Sequence, residues 1–386
     1  MRIVHFIETL DPRDGGPPQV AAKLAAEQAR QGHRVTLLTT FESGAAAAAE
    51  DSAFSVAGQL RNVERRSIDA KSLAERLRSR AKRQMGAIVK DADVIHAHGI
   101  WDPMLVSCVR ECSRSGIPVS LTPHGMLTRF SLGKKAWKKR LALATLWRGT
   151  LRQVSSLHLL TQAEYNDVQL LDPAIPGVVI PNGVEPGEFA HDEIADIDGL
   201  LPRHASRRYI LFLARISHIK GPDLLCEAFA RIAAVVPDVD LVMAGPDFGY
   251  RSNLARQVQQ LGLQRRIHVV GPVYGKLKSS LLRRALCLAH LSRHEGFSIT
   301  VLEALACGTP VVISNACNFS EVASAGAGLV VPLDPQQGAQ ALLKLLSDPA
   351  WLLEAGTRAR QLVQEKYTAR AVAQRLVEHY SRLGRR

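Results

Sequence analysis

Short β-branched runs alternate with longer stretches of helical spacing along the whole chain, and the alternation comes in two series. This pattern constrains the fold more than any other feature. Parallel strands cannot be joined by tight turns, so each pair needs a crossover, usually a helix, and the strands become apolar on both faces. Ile3-Val4-His5-Phe6-Ile7 reads as such a buried strand, a Gly15-Gly16-Pro17-Pro18 loop follows, and Val20 to Gln31 has helical spacing until Gly32. Further strands are expected at Arg34–Thr39, Asp93–His96, Pro118–Thr122, Ser156–Leu160 and Val178–Ile180. The second series places strands at Tyr209–Leu213, Asp240–Ala244, Ile267–Val270, Cys287–Leu291, Val311–Ile313 and Leu329–Val331. Between the series, Glu185–Arg207 is acidic, weakly periodic and broken by Pro186, Gly187, Gly199 and Pro202, and reads as a linker. The expected class is α/β, with two Rossmann-like doubly wound domains facing across a cleft. A chain of 386 residues is the right length for two such cores. Ligands of open parallel sheets sit at the carboxyl ends of the strands, which draws attention to the loops there.

Charge narrows the partners. The 49 Lys and Arg against 36 Asp and Glu leave +13, unevenly spread. Residues 101–150 hold nine basic and two acidic side chains and 251–300 hold nine and one, whereas 151–200 hold one and nine. Basic blocks of this kind meet polyanions: nucleic acid, anionic lipid or a phosphorylated small molecule. No helix-turn-helix, zinc or base-stacking pattern accompanies them, so nucleic acid is not the expected partner. Six scattered cysteines without CxxC spacing indicate neither a zinc site nor a disulfide framework, and a reducing cytoplasm is the expected location. No apolar run is long enough to span a membrane.

Two segments carry the chemistry. In His294-Glu295-Gly296-Phe297-Ser298, followed by a helix containing Glu303, the first carboxylate lies at a strand's carboxyl end and the second one lies inside the helix. The N–H groups of Gly296, Phe297 and Ser298 are placed where a helix begins, an arrangement suited to phosphate. Glu303 lies between Leu302 and Ala304-Leu305, where a charge is costly without a partner. In Arg215-Ile216-Ser217-His218-Ile219-Lys220-Gly221-Pro222, two cations precede a helix and can clamp a diphosphate, Arg as a fork and Lys as a point charge. A structural ion pair is the alternative reading.

These segments, with Pro181-Asn182-Gly183-Val184 and the Gly15-Gly16 loop, together resemble the retaining glycosyltransferases of family 4, polysaccharide-biosynthesis type, of the GT-B fold. The resemblance runs in order along nearly the whole chain. It implies a first domain over 1–185, a donor-binding second domain over 186–368, and a C-terminal helix at about 369–386 that returns to the first. It implies transfer of a hexose from a UDP- or GDP-sugar, with retention and without a metal or other cofactor, to a hydroxyl of a glycan or polyprenyl-diphosphate-linked saccharide. Carried over residue by residue, Arg215 and Lys220 neutralise the donor diphosphate, Glu295 lies beside the donor sugar, and Glu303 binds the ribose. Gly296, Phe297 and Ser298 add amides to the phosphates. Val273 in Gly271-Pro272-Val273 marks the base site, with Gly245 and Asn182 nearby. Gly15 and Gly16 approach the phosphates, and His124 bonds the donor sugar. His96 and His98, lacking a third ligand, are expected to pack or to face the acceptor rather than hold a metal.

Lys134, Lys135, Lys138 and Lys139 cover an arc of about 140° on a helix that also carries Trp137. This face is expected to meet an anionic membrane surface, which would make the protein peripheral at the inner leaflet, although Arg140 and Arg148 interrupt the opposite apolar stripe. Asp91-Asp93, Asp196-Asp198 and Asp238-Asp240 repeat a metal-binding spacing by chance, since two of them precede strands. Competing readings are another enzyme of this fold, a nucleotide-sugar epimerase or a phosphorylase, and a basic nucleic-acid-binding or DNA-modifying protein.

Overall fold

The computed structural model describes residues 1–11, 15–41, 60, 62–134, 136–189, 197, 199–202, 205 and 208–384. The chain divides into two compact units, Met1–Gly183 with Ala369–Arg386, and Val184–Thr368.

The first unit is built on seven parallel strands: β1 (Arg2–Ile7), β2 (Arg34–Thr39), β3 (Val63–Ser67), β4 (Val94–His98), β5 (Val119–Thr122), β6 (Ser156–Leu159) and β7 (Gly177–Val179). Their order is β3-β2-β1-β4-β5-β6-β7, so the winding reverses between β1 and β4. Six of these strands follow from apolar runs. The seventh, β3, was not expected, because Glu64, Arg65 and Arg66 are exposed and only Val63 is buried. It is an edge strand, and charge at an edge opposes pairing with other chains. Helices cover both faces as the crossovers require. Asp102, for example, caps the helix Pro103–Arg114 by accepting from the Met104 N–H at 2.9 Å, with Pro103 in the first turn, where no N–H is needed. The helix Ala369–Leu383 lies on Gly16–Arg30, tied by Gln31 donating to the Arg370 carbonyl at 3.0 Å, and buries Tyr380 completely.

The second unit has six parallel strands: β8 (Arg208–Leu213), β9 (Val239–Ala244), β10 (Ile267–Gly271), β11 (Cys287–His290), β12 (Val311–Ser314) and β13 (Gly328–Val331). The order β10-β9-β8-β11-β12-β13 reverses between β8 and β11. The expected linker is only partly one: Phe189, Ile197, Leu201 and Ala205 are buried in this unit's core, so isolated apolar residues fasten an irregular segment. Val184 donates its N–H to the Tyr367 carbonyl at 2.9 Å and bridges Thr368, so the chain enters and leaves this unit side by side.

All six cysteines are buried and unpaired, and burial pushes the Cys226, Cys287, Cys307 and Cys317 thiols up to about 12. Asp93 accepts from the Arg2 N–H, Asp238 pairs with Arg208, and Asp240 holds both Arg266 and His268; Asp196 and Asp198 lie outside the described residues. Among the described residues no helix is long and apolar enough to cross a membrane.

Candidate functional site

In the second unit the loops after β8 and β11 meet where the strand order reverses, and they are fastened to each other. Arg293 donates its N–H to the Ile219 carbonyl at 2.8 Å, and its guanidinium forks onto Asp223 at 2.8 and 2.6 Å. Gly221, with φ 67°, lies so close to β11's end that a Cβ there would sit 2.0 Å from the Leu291 carbonyl oxygen. Only glycine meets both demands. Gly245, with φ 150°, is similarly pressed against the Ala214 carbonyl, where a Cβ would sit 1.8 Å away.

This fastening brings Lys220 and Glu295 together. The Lys220 ammonium donates to Glu295 Oε1 at 2.6 Å, and His290 Nε2, from β11, lies 2.6 Å from the same oxygen. Burial opposes ionisation of Glu295, but the Lys220 charge and the His290 contact outweigh it and hold the carboxyl well below its usual range. Lys220 is thus paired with Glu295, and the structural ion pair weighed from the sequence is present. The Asn318 side chain donates to the Glu295 carbonyl at 2.9 Å and sets the loop's path.

Ser298 caps the helix Ile299–Cys307 by accepting from the Val301 N–H. The N–H groups of Gly296, Phe297 and Ser298 have no acceptor among the described residues, and the Phe297 ring packs tilted against Phe319, 5.1 Å between centroids. Glu303, on the same helix, is buried and receives Lys278 at 2.7 Å. Each carboxylate therefore has its own lysine. Arg215 is exposed, lies over the Phe248 ring at 4.8 Å, and has no carboxylate partner among the described residues. It is the cation of the expected pair that remains available. Val273 turns its side chain into the core, which leaves only its backbone to a ligand.

The first unit gathers imidazoles at the carboxyl side of its sheet. His5 on β1 is in register with His96 on β4, and His98, Thr122 and His158 follow on adjoining strands. His124 follows β5 in a turn closed by the Met126 N–H on the Pro123 carbonyl, with positive φ at both His124 (53°) and Gly125 (77°). Such a φ is strained for histidine and is held by Glu164, which accepts from the Gly125 N–H at 2.6 Å. Burial lowers His5 and His158 to about 4 and His124 to about 3, so these rings are neutral. His5 supplies the third imidazole that the sequence reading lacked beside His96 and His98: one nitrogen of each lies within 4.8 Å of the others. Gly15, with φ 99°, precedes the helix Gly16–Arg30, and nothing lies within 4 Å of a Cβ built on Gly16. Asn182 is buried, and its Oδ1 has no partner among the described residues.

On the helical segment beginning at Ala136, Trp137 is 69% exposed and Lys138 lies over its ring, while Lys134 lies over Phe130. Lys139 departs from expectation, donating to the Ser131 carbonyl at 2.6 Å and lying over Trp101. Lys135 is outside the described residues. A π-helical turn at Leu143–Trp147 advances the phase, so Trp147 and Leu151 are buried whereas Trp137 and Leu141 face out. Sequence periodicity missed this shift, as it missed His290, Lys278 and His5, whose partners lie far away in the chain.

Residues 199–364 match the family described as glycosyl transferases group 1, and residues 15–183 match the glycosyl transferase 4-like domain. The phosphatidyl-myo-inositol mannosyltransferase of Mycolicibacterium smegmatis is 32% identical over 279 residues, 70% of this chain and 66% of that protein. The GDP-mannose:cellobiosyl-diphosphopolyprenol alpha-mannosyltransferase of Xanthomonas campestris is 25% identical across 100% of this chain and 98% of its own length. For several of the curated relatives the match spans about half to two thirds of their length. Anabaena HepE, solved with UDP and glucose, shares the fold with a TM-score of 0.76 and 20% identity, covering 99% of both chains. The chain thus belongs to the group 1 glycosyltransferases of the GT-B fold, with a family 4-like first half.

Proposed function

We propose that the protein is a retaining, metal-independent glycosyltransferase. It moves a hexose from a UDP- or GDP-sugar to a hydroxyl of a glycan or lipid-diphosphate-linked saccharide, in surface polysaccharide assembly. The observation that carries this reading is the junction of the β8 and β11 loops, where exposed Arg215, the Lys220–Glu295 pair and the amides of Gly296, Phe297 and Ser298 lie at the carboxyl ends of the strands. As the glycosidic bond breaks, negative charge grows on the departing diphosphate. Cations and fixed amides already aimed at that charge lower the barrier without reorganising. Lys220 is held by Glu295 until a phosphate arrives, and the pair then shares its proton donors with the ligand. Glu295, already paired with Lys220 and contacted by His290, is a poor covalent nucleophile. This favours transfer on one face, with the departing phosphate oxygen taking the acceptor hydroxyl's proton. Glu303 is assigned to the ribose, with Lys278 orienting its carboxylate. The relatives' names support the donor and acceptor classes: one names GDP-mannose and a diphosphopolyprenol acceptor, and the structural neighbour holds UDP and glucose.

Thermal unfolding in the presence of UDP, GDP and ADP tests the donor, because a ligand that binds only the folded state raises the midpoint. One of UDP or GDP is expected to do so, and the Arg215→Ala variant is expected to lose about 100-fold in turnover with the matching sugar nucleotide. The anomeric proton coupling of the product reports retention. No shift with any nucleotide, or release of free sugar in place of transfer, would overturn the reading.

A further inference from the structure

Five imidazoles of the first unit are links of one hydrogen-bond chain. It runs from the Ile180 carbonyl to His158 (2.7 Å), Thr122 (2.7 Å), His96 (2.7 Å), Tyr380 (2.6 Å), Gln28 (3.4 Å), His5 (2.7 Å), His98 (3.0 Å) and His124 (3.1 Å). Its direction is decided at one end. A carbonyl oxygen only accepts, so His158 Nε2 donates to Ile180, and the neutral ring is left with an accepting Nδ1. Thr122 must then donate to that Nδ1 and accept from His96 Nε2. His96 Nδ1 accepts from the Tyr380 hydroxyl, Tyr380 accepts from the Gln28 amide nitrogen, and the Gln28 amide oxygen accepts from His5 Nε2. His98 Nε2 donates to His5 Nδ1, and His124 Nε2 donates to His98 Nδ1. Run in reverse, the chain would face two lone pairs at 2.7 Å between His158 and Ile180. Every ring is therefore the Nε2–H form, and the chain ends on an open lone pair at His124 Nδ1, which has no partner among the described residues.

We propose that this chain acts as a single directional unit which fixes His124 as a hydrogen-bond acceptor, so that the group it receives is a hydroxyl of the sugar or saccharide and not a phosphate or carboxylate oxygen. Tyr380 and Gln28 are positioning residues that act through it. The strained His124 turn, tied by Glu164, fixes the ring just beyond β5. The chain also accounts for the His5, His96 and His98 cluster: His5 Nδ1 already receives the His98 proton, and both His96 nitrogens face hydroxyls. The consequence for substrate rests on the glycosyl-transfer reading, whereas the ring tautomers do not.

The test is nitrogen-15 NMR of the full chain labelled at histidine, at pH 8, where long-range couplings to the ring protons separate Nε2–H from Nδ1–H. The expected result is the Nε2–H form for all five rings. The Nδ1–H form at His124, or stoichiometric binding of added zinc that shifts His5, His96 and His98 together, would overturn the proposal. Tyr380→Phe keeps the shape but removes the link. With the Gln28 amide then able to turn over, His124 is expected to show both tautomers. Turnover is expected to fall about tenfold, with nucleoside diphosphate affinity unchanged within about twofold. An unaltered single tautomer at His124 in this variant would refute the coupling even if its stability fell. Failure of any sugar nucleotide to react, with the Nε2–H pattern intact, would instead count against the glycosyl-transfer reading alone.

Discussion

Lys220 Nζ lies 2.6 Å from Oε1 of Glu295, a residue 75 positions away in the chain, and both are largely withdrawn from water. The pair joins the loops after β8 and β11, and its charge balance governs both stability and the approach of a phosphate.

Glu295→Gln leaves the Lys220 charge without its partner and is expected to lower unfolding free energy by about 3 kcal/mol at pH 7, measured by urea denaturation. Because the folded carboxyl is held below the ordinary value of 4.5, the unfolded chain takes up the proton first as pH falls. The contribution is therefore full above about pH 4.5 and is lost progressively below it. The wild type should converge toward the variant in that acid range; a constant gap down to pH 2.5 would contradict the assignment.

Gly221→Ala must force the Leu291 carbonyl aside as well as adopt a positive φ, and a loss of about 3 kcal/mol is expected. Gly249→Ala, with φ 81° and nothing within 4 Å of the added carbon, should cost only the backbone term of about 1 kcal/mol. Equal urea midpoints for the two variants would show that the loop contact is unimportant.

The buried imidazoles predict acid sensitivity of the first unit. His5 and His158 titrate near 4 when folded against an ordinary 6.5, so the unfolded chain binds more protons between these values. Stability should fall as pH drops from 6.5 toward 4, by at least about 3 kcal/mol between pH 7 and pH 5. Trp101 and Trp147, both in this unit, report it by fluorescence during urea titration. A flat profile would mean that the rings gain protons without cost.

Trp137, Lys134 and Lys138 form an exposed aromatic and basic surface. Lys134→Glu with Lys138→Glu should abolish sedimentation with vesicles containing phosphatidylglycerol at low salt, and Trp137→Ala should weaken it several-fold. Neutral vesicles should not bind. Equal binding to both vesicle types would exclude an electrostatic membrane contact.

The strands were legible because buried parallel strands are apolar throughout, and the one that escaped, β3, is an edge strand whose middle residues are charged. The segment from Glu185 to Arg207 misleads because fastening by Phe189, Ile197, Leu201 and Ala205 has no period. Around the site, Arg215, Lys220, Glu295 and Glu303 stand out through their motifs, but the pairing of each carboxylate with a lysine depends on how loops meet in space. The histidine chain was unreadable for the same reason: His5, Gln28, His96, His158 and Tyr380 have no local pattern and share only a position in the folded unit. A histidine inside an otherwise apolar strand, as at His5, His96 and His158, was the signal available.

The adjacency of Val184 and Thr368 has a consequence for biosynthesis. The second unit is an insertion, and a ribosome must complete it before the helix bearing Tyr380 emerges. Until then the hydrogen-bond chain lacks its tyrosine link and His96 Nδ1 lacks its donor. The half of the protein made first is therefore the half finished last.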